Sequence, residues 1–430
     1  MIRLLMLGAF FWLPAAFVPG GGFAGVVFLV ILGALCWRDL RTIPKASDLI
    51  ATRELPPRFA FDAEHEINLT INNRSARALQ LTLRDELPDV FELQSEFPPG
   101  HIPAGNAARF TYKIVPRKRG AFDFGAVVVR ASGAAGLLQK QISLRVPDSV
   151  KVYPNFKKVA RYELLAKIDE REELVRKPRY LRAAGTDFES LRPYILGEDP
   201  RSIDWKATAR RGAPIAKNRQ IEKGQQVAVL LDAGRLMAGI IGKYAKLEHA
   251  MNAAVMLSYV AEKRGDALAV ASFSNQIESF LPTSRGPSLV PRVLESLYPV
   301  QVRPVESDYW QVIAEAMHLL RRRSLVILLT DVLDASASNG LINNLARAAA
   351  RHLVLCVVLS EPKIRAIADQ IPQTVGQTYQ MAAAADVRRR RRLALEQMRA
   401  RGIFVLDTDP DHLSVHLVKR YLEIRQADLQ

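Results

Sequence analysis

The sequence predicts a multidomain chain: an N-terminal membrane hairpin, an all-β immunoglobulin-like sandwich, and an α/β domain of Rossmann type. Three observations predict it. Residues 4–37 carry no charged side chain and break once, at Pro19-Gly20-Gly21-Gly22. Residues 55–152 alternate apolar and polar positions in short runs. From Gln225 onward, continuous apolar runs alternate with longer amphipathic stretches. A chain of 430 residues has room for several domains, each with its own core. The expected boundaries are 1–40 for the hairpin, 41–54 for a linker, 55–152 for the sandwich, 153–224 for a connecting segment and 225–430 for the α/β domain.

Each apolar arm of the first block is about 15 residues, short of the roughly 20 that a span needs. A tight hairpin of two short spans is the first reading. The alternatives are a single span with an interfacial arm, and a cleaved signal peptide, although no small-residue cleavage site follows the first arm. Arg3 precedes the block, and Arg38, Arg41 and Lys45 follow it. Positive flanks on both sides would put both ends in the cytoplasm. The expected location is therefore the inner membrane, with most of the chain facing the cytoplasm. Cys36 and Cys356 each sit in an apolar run far apart, so a disulfide is not expected and a reducing compartment fits. The net charge of +16 suits an anionic membrane face, an acidic partner or nucleic acid.

In the next region, Ile67, Leu69 and Ile71, then Leu79, Leu81 and Leu83, then Phe110, Tyr112 and Ile114 alternate with polar residues. Val127 and Val129, and Ile142, Leu144 and Val146, continue the pattern. Period two over short runs means half-buried strands. Asn72-Asn73, Pro98-Pro99-Gly100 and Arg119-Gly120 supply turns. About seven strands in this span suggest a small antiparallel sandwich. It shows no catalytic cluster and reads as a spacer or binding domain.

The connecting segment is strongly charged. Residues 161–182 read as a polar helix and a basic stretch closed by Pro178. After it come Arg192, Glu198, Asp199, Arg201, Asp204 and Arg210, interleaved with Phe188, Tyr194 and Trp205. Gly197-Glu198-Asp199-Pro200 is a turn. Each arginine can fork onto a carboxylate, and Trp205 offers an apolar anchor with one donor. An ion-pair and aromatic clasp between domains is the plainer reading; a docking surface for a partner is the sharper one.

The spacing R-x-Y-x-x-G-E-x-x-R-x-I-D-W runs from Arg192 through Tyr194, Gly197, Glu198, Arg201 and Ile203 to Asp204-Trp205. Ala209-Arg210 follows, and then a strand into Asp232, Gly234, Arg235 and Met237. This long motif resembles the domain of unknown function 58 family. The resemblance implies membrane helices, a β-sandwich and a von Willebrand factor A-like domain, and MoxR-type AAA+ ATPases as working partners. One family feature, an Asp-Pro-Phe-Gly-Leu turn late in the sandwich, is replaced here by Ala131-Ser132-Gly133-Ala134-Ala135-Gly136-Leu137.

In the α/β domain, strands are expected at 227–231, 267–273, 277–281, 325–329, 353–359 and 403–406. Helices are expected at 243–263, 289–297, 309–321, 340–350, 375–401 and 412–425. Apolar strands alternating with helices make a mostly parallel sheet covered on both faces. In A-like domains a metal sits at the sheet's carboxyl edge, on Asp-x-Ser-x-Ser, a Thr and a second Asp. Here Asp232 and Asp331 hold the two aspartate positions, but Gly234 and Leu236 replace the serines. Ser307 or Asp308 is the nearest stand-in for the threonine. A hard cation needs about six oxygen ligands, so no tight Mg²⁺ site and no other cofactor is expected.

Other chemistry is thin. His412 and His416 have helical spacing but no third ligand in a known pattern. Asp407, Asp409 and Asp411 fit the start of the last helix better than a cation loop. No nucleophile elbow, phosphate loop or zinc-protease motif is present. Arg388, Arg389, Arg390, Arg391 and Arg392 run in sequence, wrap more than one helical face and cannot all pair locally. They read as a solvated face or a contact with anionic lipid headgroups. No stacking aromatics accompany them, so nucleic acid is not expected. The expected function is a membrane-anchored, non-enzymatic adaptor that binds a protein partner, with a metal-dependent binder or hydrolase using Asp232 and Asp331 as the alternative.

Overall fold

A computed structural model of the chain describes residues 22–95, 97, 99–155, 187–194, 203–220, 225–320, 322–332 and 338–428. The chain divides into two units, Met1–Tyr153 and Pro154–Gln430.

The first unit opens with helix α1 (Gly22–Leu40), which carries no acid in its first turn and Arg38 in its last. Its 19 residues rise about 28 Å at 1.5 Å per residue, and the last turn is charged. The apolar part thus falls short of a hydrocarbon core of about 30 Å. No helix among the described residues is long and apolar enough to cross a membrane. This corrects the expected membrane hairpin, and with it the expected inner-membrane location facing the cytoplasm. The first arm, residues 4–18, lies outside the described residues. The far end of α1 is tied to protein instead. Asp39 accepts hydrogen bonds from the amides of Ala135 (2.7 Å), Leu137 (2.9 Å) and Leu138 (2.8 Å). Burial pushes its carboxyl up, but these amides outweigh burial and hold it below the usual carboxylate range. Gly133 makes the fit possible, because a Cβ there would collide with the Asp39 carboxylate. The Ala131–Leu137 segment singled out in the sequence therefore carries the loop that receives Asp39.

The rest of this unit is all β. Its strands are β1 (Leu49–Glu54), β2 (Phe59–Ala60), β3 (His65–Asn73), β4 (Leu79–Asp85), β5 (Phe91–Leu93) and β6 (Gly100–Ile102). There follow β7 (Ala107–Pro116), β8 (Gly120–Phe124), β9 (Val127–Ser132), β10 (Gln139–Leu144) and β11 (Asp148–Tyr153). One sheet runs β1-β3-β7-β5, a second β10-β9-β4-β6, and a third β2-β11-β8. Register places Ile67 opposite Tyr112, and Leu83 opposite Val129. Alternate residues of β3, β4, β7 and β9 fill one core with Phe59, Phe91 and Phe124. Two departures from expectation are physical. β1 begins inside the expected linker and pairs along its length with β3. β2, β5 and β6 are two or three residues long, too short to leave a period-two trace.

In the second unit, β12 (Asp187–Pro193) and β13 (Ile215–Gln220) form an antiparallel pair around helix α2 (Trp205–Arg211). Then comes a six-stranded sheet. Its elements in chain order are β14 (Gln226–Asp232), a small hairpin of β15 (Ile240–Ile241) and β16 (Tyr244–Ala245), α3 (Lys246–Arg264), β17 (Ala267–Phe273) and β18 (Ile277–Ser284). They continue with α4 (Leu289–Leu297), α5 (Tyr309–Leu319), β19 (Leu325–Thr330), α6 (Asn339–Ala349) and β20 (Leu353–Leu359). The last are α7 (Pro362–Asp369), α8 (Val375–Ala400), β21 (Phe404–Thr408) and α9 (Leu413–Asp428).

The strand order is β18-β17-β14-β19-β20-β21, parallel except for the edge strand β18. Connections therefore reverse direction between β14 and β19, the point where a doubly wound sheet opens a crevice at its carboxyl edge. On one face, Leu230, Leu328 and Cys356 pack with Val312 of α5, Leu345 of α6 and Leu395 of α8. Every residue of β17 and β19 is buried, as strands covered on both sides require. This order does not by itself single out a von Willebrand A domain.

Candidate functional site

The carboxyl edge of this sheet gathers the acidic residues of interest. Asp232 ends β14 and is 1% exposed. Its two oxygens take four donors. Gly234 N–H (2.8 Å) and Ser307 Oγ (2.5 Å) donate to Oδ1, and Tyr309 OH (2.8 Å) and Thr330 Oγ1 (2.6 Å) donate to Oδ2. Burial, and then the Asp232 carboxylate, push the Tyr309 phenol well above its usual range, so it stays protonated and donates. Four donors fill the lone-pair directions of a carboxylate.

Asp331 lies just past the end of β19, the strand beside β14, and is 2% exposed. Its partners are cations of the chain itself. Lys246 Nζ lies 2.6 Å from Oδ2, and Arg391 Nη1 lies 2.8 Å from Oδ1. The Val332 amide also donates to Oδ1 at 2.8 Å. Lys246, at the first position of α3, is itself buried and bonds the Glu361 carboxylate as well. Arg391 reaches the carbonyls of Val332 (3.2 Å) and Leu359 (2.8 Å) and the Asp407 carboxylate (2.9 Å). Helix α8 thus spends one arginine of its run stitching together the ends of β19, β20 and β21.

These residues do not fit a bound divalent cation. Asp232 has no lone pair to spare, and Asp331 already neutralises an ammonium and a guanidinium. A cation placed between them would have to displace fixed positive charge. The other expected positions fall around this edge. Gly234 is needed as glycine because a Cβ there would stand inside the Ser307 hydroxyl. Ser307, not Asp308, reaches the site: Asp308 caps α5 through the amides of Trp310 and Gln311. Leu236 lies in a short helical turn, half-buried, with no oxygen to offer.

The sequence motif is only partly described. Gly197, Glu198, Asp199 and Arg201 lie outside the described residues, as do residues 161–182 and the side chain of Arg192. The Tyr194 amide bonds the Pro214 carbonyl at 2.9 Å. Asp204 caps α2, accepting from the amides of Lys206 and Ala207. Trp205, expected as an apolar anchor, is 70% exposed, and Arg210 is exposed too.

The arginine run is more paired than its sequence suggests. Arg389 and Arg390 meet Asp386, and Arg392 meets Glu396 across 3.8 Å. Arg388 meets Asp369 at the end of α7. Beside it, a cleft of about 480 Å³ opens between α7, α8 and the ends of β19, β20 and β21. His416 accepts or donates at Thr408 Oγ1 (2.6 Å) next to His412, Asp407 is held by Arg391, and Asp409 by Ser360 and Arg365. Among the described residues no group of three His, Cys, Asp or Glu side chains could hold a metal. Cys36 and Cys356 are both free thiols, and burial pushes Cys356 up to about 12, leaving it unreactive at neutral pH.

Lys246, Arg391, Tyr309 and Thr330 were not legible as site residues. Lys246 left one signal. It heads the stripe Lys246, Ala250, Ala253 and Leu257, which has helical spacing and is otherwise apolar, so the lysine points into the core.

Residues 190–397 match the family described as "Protein of unknown function DUF58", just under half of the chain. No curated protein matches. Among solved structures, native alpha-2-macroglobulin from Escherichia coli, spanning domain MG7 to the C-terminus, aligns at 17% identity and a TM-score of 0.22. The alignment covers 25% of this chain and 16% of that one. A FixG-related protein from Vibrio parahaemolyticus aligns at 6% identity and a TM-score of 0.18, over 24% of this chain and 96% of that one. The cupredoxin domain of amoB from Nitrosocaldus yellowstonii gives 12% identity and a TM-score of 0.17, over 24% and 82%.

Proposed function

We propose that this chain is a non-enzymatic adaptor whose α/β unit presents a protein-docking surface at the carboxyl edge of its sheet. The observation that carries the reading is the state of Asp331. In a metal-using sheet that carboxylate would face a divalent ion, whereas here it faces Lys246 and Arg391. The chain supplies its own positive charge, so the edge needs no cofactor to be electrostatically complete. The sequence carries none of the nucleophile-elbow, phosphate-loop or zinc-protease motifs that would favour a hydrolase. Trp205, 70% exposed on a short helix within the family motif, supports docking, because aromatic residues of this kind anchor protein interfaces. The partner implied by the family resemblance is a MoxR-type AAA+ ATPase.

The test is co-purification of such an ATPase with the wild-type chain and with Trp205→Ala. Recovery should fall by about tenfold or more in the variant, the effect of losing an aromatic anchor. Equal recovery from both would remove the docking reading. Calorimetry with Mg²⁺ addresses the metal-dependent alternative: a binding heat that vanishes in Asp331→Ala would favour it.

A further inference from the structure

The arginine run borders a cleft whose chemistry is specific. Six arginines line it: Arg365, Arg388, Arg389, Arg391, Arg392 and Arg399. Three acids, Asp331, Glu361 and Asp407, line it too, and all three are engaged by Lys246 or Arg391 at the floor. Positive charge is therefore in excess at the mouth. Arg399 has no ion pair among the described residues, and Arg392 has one exposed pair at 3.8 Å. Arg365, Arg388 and Arg389 hold carboxylates of this chain with their own side chains more than half exposed. Such exposed pairs are weak and exchange readily with a competing carboxylate.

We propose that this cleft binds an acidic peptide segment, a run of Asp or Glu side chains on a partner protein. Arg365, Arg388, Arg389 and Arg392 each hold an Asp or Glu of this chain that a ligand's carboxylate could replace. Arginine forks suit that group, and several of them along one rim suit several carboxylates in sequence. About 480 Å³ admits a few side chains, within the range of ordinary ligand pockets. No aromatic residue lines the cleft, so a nucleobase finds nothing to stack on. Arg391, pinned by two carboxylates and two carbonyls, gives the floor a fixed shape. The proposal deepens the docking reading and rests on it for the partner being a protein.

The experiment is fluorescence anisotropy of a labelled hexaglutamate peptide titrated with the purified full-length chain. Binding should be measurable at low salt and weaken by about tenfold at several-fold higher salt, as screening of exposed charges requires. Arg392→Glu with Arg399→Glu should weaken it by about tenfold or more. Both side chains are exposed, so the thermal melt of this variant should match wild type; should it not, Arg399→Ala alone carries the comparison. Arg292→Glu, an exposed arginine on α4 away from the cleft, should leave binding unchanged. Absence of binding, or equal losses in both reversals, overturns the proposal. So does displacement of the peptide by equimolar pyrophosphate, which marks a site for small oxyanions, or transfer of cleft-dependent binding to phosphatidylglycerol vesicles. Peptide binding that survives while ATPase recovery fails leaves the cleft standing and removes only that partner.

Discussion

The two units each bury a cation against an aspartate, and they close the pair differently. In the sandwich, Arg53 and Asp85 have no exposed side-chain surface. Arg53 forks Asp85 through bonds of 2.9 and 2.6 Å and also bonds Asp148 and the carbonyls of Val146 and Gly125. Its guanidinium lies over the Phe124 ring, and the buried Tyr112 hydroxyl donates to Asp85. Gly125 and Val146 sit in the turns that join the sandwich strands, and Asp148, 28% exposed, is the one partner that reaches outward. In the α/β unit, Lys246 and Asp331 are almost as deeply buried, but two partners step outward where the sandwich has one. Glu361 is 32% exposed, and Arg391 links on to Asp407, which is 35% exposed. A closed cluster fixes register. A graded one, running from the floor of a cleft to its rim, leaves charge where a ligand can reach it.

The closed cluster should be the costlier to break. Arg53→Ala leaves Asp85 buried with only Tyr112 beside it. The loss should be about 3–5 kcal/mol, the usual penalty for an orphaned buried charge. Urea unfolding followed by the β-sheet circular dichroism signal measures it. Arg53→Met combined with Asp85→Leu should recover most of that loss, because the orphan is gone. A single variant as stable as wild type would remove the distinction between the two clusters.

Lys246→Ala tests the open cluster and should cost less, about 2–3 kcal/mol, because Arg391 still neutralises Asp331. It should also do what no sandwich variant can. With the ammonium gone, Asp331 and Glu361 face one vacated position, so Mg²⁺ should raise the melting temperature of Lys246→Ala and not that of wild type. Thermal melts with Mg²⁺ and with chelator separate the two. If Mg²⁺ stabilises wild type equally, Lys246 is not holding a cation's place.

These contrasts explain what the sequence could disclose. The doubly wound sheet was legible because buried strands such as Leu325–Leu329 and Leu353–Leu359 are unbroken apolar runs, and periodicity reports burial directly. Helix α7 was missed: eight residues starting at Pro362, none of them buried, are too short a run for periodicity to register. The membrane hairpin was a misreading of the same signal, since an apolar run of sub-spanning length looks alike whether or not it crosses a bilayer. In the site, Asp232 and Asp331 were legible from their places after strands, and Gly234 and Leu236 from the oxygens they lack. Lys246 and Arg391 were not, because nothing in a sequence says which of many basic residues turns inward. Arg391 lies in a run of five whose other members face out.

The smallest expected effect sharpens the comparison at one atom. Restoring the metal-site serine by Gly234→Ser should not restore a metal site. The new Cβ would enter the space of the Ser307 hydroxyl, which is already the donor to Asp232. Overpacking of this kind costs about 1–3 kcal/mol. Gly234→Ser combined with Ser307→Ala should regain much of that stability, since the new hydroxyl can take over the bond that Ser307 gave up. Neither variant should gain Mg²⁺-dependent stability, because Lys246 remains on Asp331. Thermal melts of the single and double variants, each with and without Mg²⁺, read both effects together. Stabilisation of Gly234→Ser by Mg²⁺ with Lys246 intact would mean that missing oxygens, rather than the resident ammonium, are what keep a cation out.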